Sequence, residues 1–485
     1  MRPSAARSRL RFGARAFALI IGLLTLKPAA LPAQDFEKGK IIPKVECPAD
    51  PGENYALYLP SGYDPGRAWP VLVLFDPAAR GELAATVFRE GAERRGYILA
   101  ASNTARNGPW EPIIRAARAV HRDVSERFAV DAGRLYAGGF SGGARAISLF
   151  ASMIEKPVAG LIGCGAGLAP DVPPSQIKPG VYLGLVGTSD FNLNEVQRLD
   201  ADLAAAGVLH RVFYFDGKHA WPDPALCARA LDWLDIAAMK SGALPKDESV
   251  LGEVFARELE EAAALETAGR LSAAAAAYDA ILAFFEDLLD TSELAAKTAR
   301  LKASKAFERS RKEDSKRADL ESRTLAGFRD VLRAVGEAPA LGSEIIQIRK
   351  GLQVGRWKSE ASSARTPEDR ALAGRLLIQL ALDAESLGRE AYRRNVLSKA
   401  VAFFDIAADA CSPREGRYPY ILYNYACVLA LSGDKDKALD RLDLAVGAGY
   451  ADVKSLEEEK DFESIRETPR FRDLLAKLRS RDPDA

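Results

Sequence analysis

The chain has 485 residues, a length that fits about two to four domains of ordinary size. Hydrophobic residues make up 48% of it and charged residues 28%, which excludes a chain that is disordered as a whole. Lysine and arginine together number 67, as do aspartate and glutamate, whereas a nucleic-acid-binding protein usually carries a basic excess. Five cysteines in a chain of this length exclude a disulfide-rich scaffold.

Residues 1–33 have the three parts of a secretory signal peptide. Five arginines and no acidic residue come first, an apolar run at 16–26 follows, and Leu-Pro-Ala at 31–33 offers a cleavage site. The apolar run is too short to span a bilayer comfortably, and an uncleaved membrane anchor is the alternative. Removing this segment takes away six basic residues and leaves 61 Lys and Arg against 67 Asp and Glu. We therefore expect an exported, periplasmic or extracellular protein with no stable membrane span after cleavage.

From about residue 36 to 242, short β-type runs alternate with helical patterns. Strands are predicted at 41–46, 55–60, 71–76, 97–102, 134–140, 158–164, 181–187 and 211–217. Helices are predicted at 84–95, 110–128, 142–154, 193–206 and 223–240. The middle strands are continuous apolar runs, which is typical of strands covered on both faces. This alternation predicts a mostly parallel sheet with helices on both faces, in which ligands bind at the carboxyl ends of the strands.

The loop SNTARNGPW at 102–110 follows the strand at 97–102 and should lie at this carboxyl edge of the sheet. Arg106, Asn107 and Trp110 are predicted to contact substrate, as is Trp221 farther along the chain. For Trp110, packing of its own helix onto the sheet is the alternative.

A Gly-x-Ser-x-Gly sequence lies between a predicted strand and a predicted helix, in RLYAGGFSGGARAISLF at 134–150. Glycines on both sides of the serine remove the clashes that a tight strand-to-helix turn would create. Ser141 is therefore the candidate nucleophile, and the N–H of Gly142 at the helix start is a candidate donor to a developing oxyanion. A glycine-rich turn required only for packing is the alternative.

A serine hydroxyl needs a base to act as a nucleophile at neutral pH, and the chain has three histidines. His121 lies within a predicted helix and His210 starts a predicted strand, so both are interpreted as structural or surface residues. His219, in FDGKHAWP after the last predicted strand, is the candidate general base.

The carboxylate that orients the histidine should follow another strand. The strand at 181–187 is followed by Thr188, Ser189 and Asp190, and Asp190 is the preferred candidate. Asp216 and Asp223 are alternatives, although both are close to His219 in sequence. The stretch between 164 and 181 is too short for a lid domain, so an uncovered site is expected unless the helical half leans over it.

From about residue 244 onward the sequence is rich in Ala, Leu, Glu and Arg and predicts an all-helical region. Residues 419–450 have a glycine at an inter-helix turn, and small residues at the offsets of a tetratricopeptide (TPR) repeat. A weaker copy is predicted at 255–288. Cys411 and Cys427 are the one pair of cysteines considered for a disulfide, and this pairing is left open.

Residues 41–241 resemble α/β-hydrolases of the esterase kind, similar to polyhydroxybutyrate-depolymerase-like and dienelactone-hydrolase-like secreted enzymes. The resemblance rests on YALYLPSGYDP, GFSGGA, GTSDFN and DGKHAWP. It implies a triad of Ser141, Asp190 and His219 that acts through an acyl-enzyme. Many relatives carry His-Gly after the strand that supplies the second oxyanion donor, whereas this chain has Asp76-Pro77 there. Because Pro77 has no N–H, the resemblance implies the amide of Ala78 as that donor, with the amide of Ala79 behind it. The segments 422–450 and 461–478 resemble TPR-containing tails.

The sequence thus predicts a signal peptide at 1–33, an α/β-hydrolase domain at 34–243 and a helical TPR-like domain at 244–485. The expected activity is cleavage of carboxylic esters, small or polymeric, without a metal or cofactor. A peptidase or amidase with the same triad is an alternative, as is an inactive hydrolase–TPR interaction scaffold. The TPR-like domain is expected to bind a protein or peptide, and no nucleic-acid partner is expected.

Overall fold

A computed structural model describes residues 36–154, 158–178, 180–338 and 347–480. The predicted signal peptide lies outside these residues. Within them, no helix is both long and apolar enough to cross a membrane.

Strands and helices alternate in the first half of the described chain. The strands are β1 (Ile41–Glu46), β2 (Asn54–Tyr58), β3 (Trp69–Phe75), β4 (Ile98–Ser102), β5 (Val130–Phe140), β6 (Gly160–Cys164), β7 (Val181–Gly187) and β8 (His210–Phe215). The helices are α1 (Gly81–Arg95), α2 (Trp110–Arg127), α3 (Gly142–Met153), α4 (Leu193–Ala205) and α5 (Pro224–Ser241). Each predicted element has a counterpart, and the largest difference is at β5, which begins at Val130 rather than at 134.

These strands form one sheet in the order β1-β2-β4-β3-β5-β6-β7-β8. β2 pairs antiparallel with both β1 and β4, and every pairing from β4 through β8 is parallel. This order, with an antiparallel second strand, is that of the α/β-hydrolase fold, so the predicted fold class is confirmed. Helices cover both faces: α1 and α5 pack on one, and α2, α3 and α4 on the other. Buried apolar runs such as WPVLVLF in β3 form where both faces are covered.

Among its described residues, the second half contains α-helices and two short 3₁₀ helices joined by turns, and no strand. Its helices are α6 (Glu248–Thr267), α7 (Leu271–Phe285), α8 (Ser292–Lys302), α9 (Lys305–Glu337), α10 (Val354–Ser363), α11 (Pro367–Arg393), α12 (Leu397–Ala410), α13 (Tyr418–Leu431), α14 (Lys435–Gly447), α15 (Val453–Glu458) and α16 (Pro469–Arg479). The 422–450 segment forms the pair α13 and α14, joined at Gly433 with φ of 84°. Assignment of this pair as a TPR repeat stays a prediction.

The helical half packs directly on the half that contains the α/β-hydrolase fold, which is named the hydrolase half for that fold alone. The α5 residue Trp233 is fully buried against Phe284 of α7, with ring centroids 4.5 Å apart. Beside it, Glu258 of α6 forms ion pairs with Arg211 of β8 and Arg229 of α5, each at 2.8 Å. Phe36–Ala485 form one compact unit, and the predicted domain boundary at 243/244 stays a prediction.

Candidate active site

The turn between β5 and α3 places Ser141 at the carboxyl edge of the sheet. Its backbone has φ of 55° and ψ of −117°, a conformation that is strained for a residue with a side chain. The flanking glycines are required by space, since a Cβ on Gly139 would lie 2.3 Å from the Gly143 carbonyl oxygen, and one on Gly143 would lie 2.1 Å from that of Phe75. The Ser141 N–H donates to the carbonyl of Cys164 at 2.8 Å, which anchors the turn to β6.

Ser141, His219 and Asp190 form a hydrogen-bonded chain. His219 Nε2 lies 2.8 Å from Ser141 Oγ, and His219 Nδ1 lies 2.9 Å from both carboxylate oxygens of Asp190. The imidazole packs against the rings of Phe140 and Phe191, with centroids 4.6 and 4.2 Å away. The structure therefore brings together the three residues that the sequence singled out, at distances that allow proton transfer from the hydroxyl to the imidazole.

The Asp190 carboxylate is buried and well supported. It is fully excluded from solvent and also accepts a hydrogen bond from the Asn192 N–H at 2.8 Å. The loops after β7 and β8 are pinned together, since the Thr188 N–H donates to the Phe215 carbonyl at 2.8 Å and the Ser189 N–H to the Gly217 carbonyl at 2.9 Å. These backbone bonds fix the positions from which the Asp190 and His219 side chains meet.

The alternative acids and histidines occupy other places. Asp223 caps the start of α5, and Asp216 lies on the wall of the cavity described below. His121 packs edge-on against Phe150, and burial lowers its pKa. His210 contacts Asp200 at 3.2 Å on the far end of β8.

A cavity of about 1090 Å³ lies over Ser141 and His219, and both halves of the protein form its walls. The hydrolase half contributes residues from the loops after β4, β7 and β8, including Asn107, Phe191, Phe215 and Lys218. The helical half contributes α11 and the connection at 412–417 between α12 and α13. The stretch from 165 to 180 forms only a 3₁₀ turn in its described part and no lid, so the helical half is the cover.

Two contacts join the loops after β7 and β8 to the helical half. Lys218, next to His219, forms an ion pair with Glu415 at 2.6 Å. Arg375 of α11 donates to the carbonyl of Thr188 at 2.5 Å while it pairs with buried Glu321 of α9. The loops that carry His219 and Asp190 are therefore both held by contacts from the helical half.

Asp76, at the end of β3, organises the loop expected to supply an oxyanion donor. Its buried carboxylate accepts hydrogen bonds from the Ala78 amide at 2.8 Å, from Arg80, and from Trp221 Nε1 at 2.8 Å. Burial alone would raise the pKa of Asp76, but these hydrogen bonds outweigh burial and lower that pKa. The Ala78 N–H is thus already paired with Asp76, which does not fit its predicted role.

Most of the residues predicted to contact substrate are not part of the described cavity wall. Gly142 is the first residue of α3, where a backbone N–H has no acceptor within the helix. Trp110, Arg106 and Trp221 are not among the described residues that form the cavity wall. Trp221 instead packs against Phe140 with ring centroids 5.5 Å apart. Of the predicted contacts, the cavity wall holds only Asn107.

Comparison with known proteins yields a likeness at the level of solved structures. No family model and no curated protein matched the sequence. Dipeptidyl peptidase 4 of Porphyromonas gingivalis aligns at 16% identity and a TM-score of 0.31, over 40% of this chain and 35% of that one. A thermostable esterase aligns at 18% and 0.33 over 40% and 62%, and an esterase of Pyrobaculum calidifontis at 18% and 0.33 over 43% and 87%.

This chain thus covers about a third of the length of the Porphyromonas gingivalis peptidase. The fold assignment rests on the strand order described above rather than on these distant similarities.

Potential metal ligands come together in the helical half, away from Ser141. Within the described chain, Cys427, Glu459 and Asp461 have ligand atoms within 4.8 Å of one another. Asp461 also accepts a hydrogen bond from Tyr392 at 2.7 Å, and acidic groups of this kind are common without a metal. Cys411 and Cys427 are both free, as are the other three cysteines.

Proposed function

We propose that the protein is a serine hydrolase that cleaves carboxylic esters through an acyl-enzyme on Ser141. The observation that carries the proposal is the unbroken chain from Ser141 Oγ through the His219 ring to buried Asp190. Each of these residues directly follows a strand or lies in the loop after one, at the edge where α/β sheets bind ligands. The order Ser, Asp, His along the chain is also the order of α/β-hydrolases.

In the proposed reaction, His219 Nε2 takes the proton of Ser141 as Oγ attacks the ester carbonyl carbon. The carbonyl π electrons move to oxygen, and the oxyanion is stabilised by the Gly142 N–H. When the tetrahedral intermediate collapses, the imidazolium returns the proton to the leaving alcohol. A water molecule then attacks the acyl-enzyme by the same sequence of steps, with His219 as base, and releases the acid.

Asp190 is proposed to hold the imidazole in the productive tautomer. Its carboxylate accepts from Nδ1, which leaves the Nε2 lone pair directed at the serine hydroxyl. It also stabilises the imidazolium that forms after proton transfer.

We also propose that the helical half shapes the substrate site. The cavity of about 1090 Å³ is slightly larger than the range of about 300–1,000 Å³ for small-molecule sites and accommodates a bulky acyl or alcohol group. Export under the direction of residues 1–33 and a protein or peptide partner for the TPR-like region remain part of the proposal, on the basis of the sequence patterns alone.

The decisive experiment compares purified Ser141→Ala with the wild-type protein on short-chain nitrophenyl esters and with a fluorophosphonate probe. We expect turnover to fall by about 10⁶-fold and labelling to disappear, with an unchanged circular dichroism spectrum. Ser152→Ala, which changes an exposed serine farther along α3, serves as the matched control and should behave like wild type. Retained turnover in Ser141→Ala would refute the proposal, and absence of labelling in the wild type would indicate an inactive scaffold.

A parallel set of aminoacyl amides tests the peptidase or amidase alternative. If the protein is an esterase, it should cleave nitrophenyl esters with a higher kcat/KM than the matched amides. Preference for the amides, combined with loss of that activity in Ser141→Ala, would reassign the reaction to amide hydrolysis on the same residues.

A further inference from the structure

The loop after β3 has no amide free to bind an oxyanion at its first four positions after Asp76. Pro77 has no N–H, and the Ala78 N–H donates to Asp76 Oδ1 at 2.8 Å. The Ala79 N–H donates to the Asp76 carbonyl at 3.0 Å, and the Arg80 N–H to Asp76 Oδ1 at 3.3 Å. A second donor must therefore come from another part of the chain.

Asn107 is the side chain that meets this requirement. Its side-chain amide lies directly on the backbone of Gly142, because a Cβ added to that glycine would be 1.7 Å from Asn107 Oδ1 and 3.3 Å from Nδ2. Asn107 also forms the cavity wall together with Ser141. Among the described residues, the Asn107 side chain makes no hydrogen bond, and it is exposed, so its amide is available to a ligand.

The position of Asn107 is fixed through its backbone rather than its side chain. Its N–H donates to the Pro77 carbonyl at 2.8 Å, and its neighbour Arg106 forms an isolated antiparallel bridge with Ala78. The loop after β4 is thereby attached to the loop after β3. This attachment carries Asn107 over the start of α3 without occupying its side chain.

We propose that the side-chain amide of Asn107 is the second oxyanion donor of this site. A carboxamide can present either its oxygen or its N–H₂ to a given neighbour by rotation of half a turn. With Nδ2 turned toward Ser141, it donates to the carbonyl oxygen as negative charge develops there, opposite the Gly142 N–H. This inference rests on the proposed ester hydrolysis, and it assigns to a side chain a task expected of a backbone amide.

The test compares Asn107→Ala with Asn107→Asp on nitrophenyl esters. We expect kcat to fall by about 10²- to 10³-fold in Asn107→Ala, with little change in KM, as for the loss of one oxyanion donor. Asn107→Asp keeps the shape but replaces the donor with a negative charge, so it should be at least as slow. Wild-type kcat in Asn107→Ala, or rescue by Asn107→Asp, would overturn the inference.

A substitution at Gly142 provides an independent test of the same contact. Gly142→Ala keeps the backbone N–H but places a methyl group where the Asn107 amide lies, so it should lower kcat by a similar factor. Because both substitutions remove one interaction, the double variant should lose no more than either single variant. Multiplication of the two effects would show that Asn107 and Gly142 act separately and would overturn the inference.

Asn103→Ala is the matched control in the same loop. Asn103 is not among the described residues of the cavity wall, and its amide donates to the Pro43 carbonyl and to Asn54 Oδ1, both at 2.9 Å. Its loss should therefore lower stability while kcat stays within about threefold. Fluorophosphonate labelling separates the two hypotheses. If the wild type is labelled and active but Asn107→Ala is equally fast, only the assignment of Asn107 fails, whereas an unlabelled wild type refutes the hydrolase function itself.

Discussion

Glu258 provides a quantitative test of how firmly the helical half is joined to the hydrolase half. Its carboxylate is fully buried and is paired with Arg211 and Arg229, each at 2.8 Å, and with Arg257 at 3.2 Å. Replacement by glutamine keeps the volume and removes the charge. The three guanidinium groups then share a buried site without this anion.

The magnitude follows from the pKa of Glu258. Burial alone would raise this pKa, but the charge of Arg211 and the hydrogen bonds from Arg229 lower it from 4.5 to about 2. At about 1.4 kcal/mol per pKa unit, ionisation of Glu258 contributes about 3 kcal/mol to the free energy of unfolding at pH 7. This agrees with the cost of about 3–5 kcal/mol for breaking a buried ion pair from one side.

The assay is urea unfolding of wild type and Glu258→Gln, followed by circular dichroism at pH 7 and pH 3. A carboxylate with a lowered pKa stabilises the fold above its ordinary pKa, and this contribution is lost as the pH falls from 4.5 through 2. We therefore expect the difference of about 3 kcal/mol at pH 7 to shrink by more than half at pH 3.

Glu261→Gln is the matched control for this experiment. Glu261 also pairs with Arg229, at 2.6 Å, but its side chain is 48% exposed. Exposed ion pairs contribute at most about 1 kcal/mol, so this variant should be close to wild type. Equal effects of the two substitutions, or a difference that does not depend on pH, would refute the assignment of the stabilisation to buried charge.

Three further predictions concern the site. Ser141→Gly should raise the free energy of urea unfolding by about 1 kcal/mol while abolishing ester turnover, because glycine relieves the strain at φ of 55°; Ser141→Ala should not be stabilised. Asp190→Asn should lower kcat on nitrophenyl esters by about 10⁴-fold, with unchanged circular dichroism, since the imidazole loses its orienting acceptor. Arg375→Met should cost about 3–5 kcal/mol in urea unfolding by leaving Glu321 unpaired. Adding Glu321→Leu should restore stability but not kcat/KM, because the bond to the Thr188 carbonyl stays lost.

The residues around Ser141 could be predicted from the sequence because the signals are local. Ser141 directly follows β5, Asp190 lies three residues after β7, and His219 lies in the loop after the last strand. The carboxyl ends of parallel strands meet at one edge, so neighbouring loops converge there. The eight strands and the helices between them followed from the same alternation, with differences at their ends.

The Ala78 prediction did not fit because it counted backbone amides without considering the side chain that competes for them. An aspartate commonly accepts a hydrogen bond from the N–H two residues later, and Asp76 does so with Ala78. That signal was present in the sequence. The proximity of Asn107 to Gly142 was not, because it depends on how the loop after β4 is attached to the loop after β3.

The cover over the site could not be predicted either, because its contacts join distant parts of the chain. Lys218 and Glu415 are 197 residues apart, and Arg375 and Thr188 are 187 apart. Neither pair leaves a periodic or spacing signal. Only the packing of the helical half against α5 and β8 brings these residues together.

The three central side chains are held by different parts of the protein. Ser141 is fixed by the sheet itself, through its bond to Cys164 and the tight packing of the glycines beside it. The loops that carry Asp190 and His219 are braced by the helical half. Movement of that half would therefore change the distance between the His219 imidazole and the Ser141 hydroxyl, which stays in place. It would alter the proposed proton transfer while leaving the Ser141 hydroxyl where it is. In this arrangement the helical half is part of the site's geometry as well as its wall.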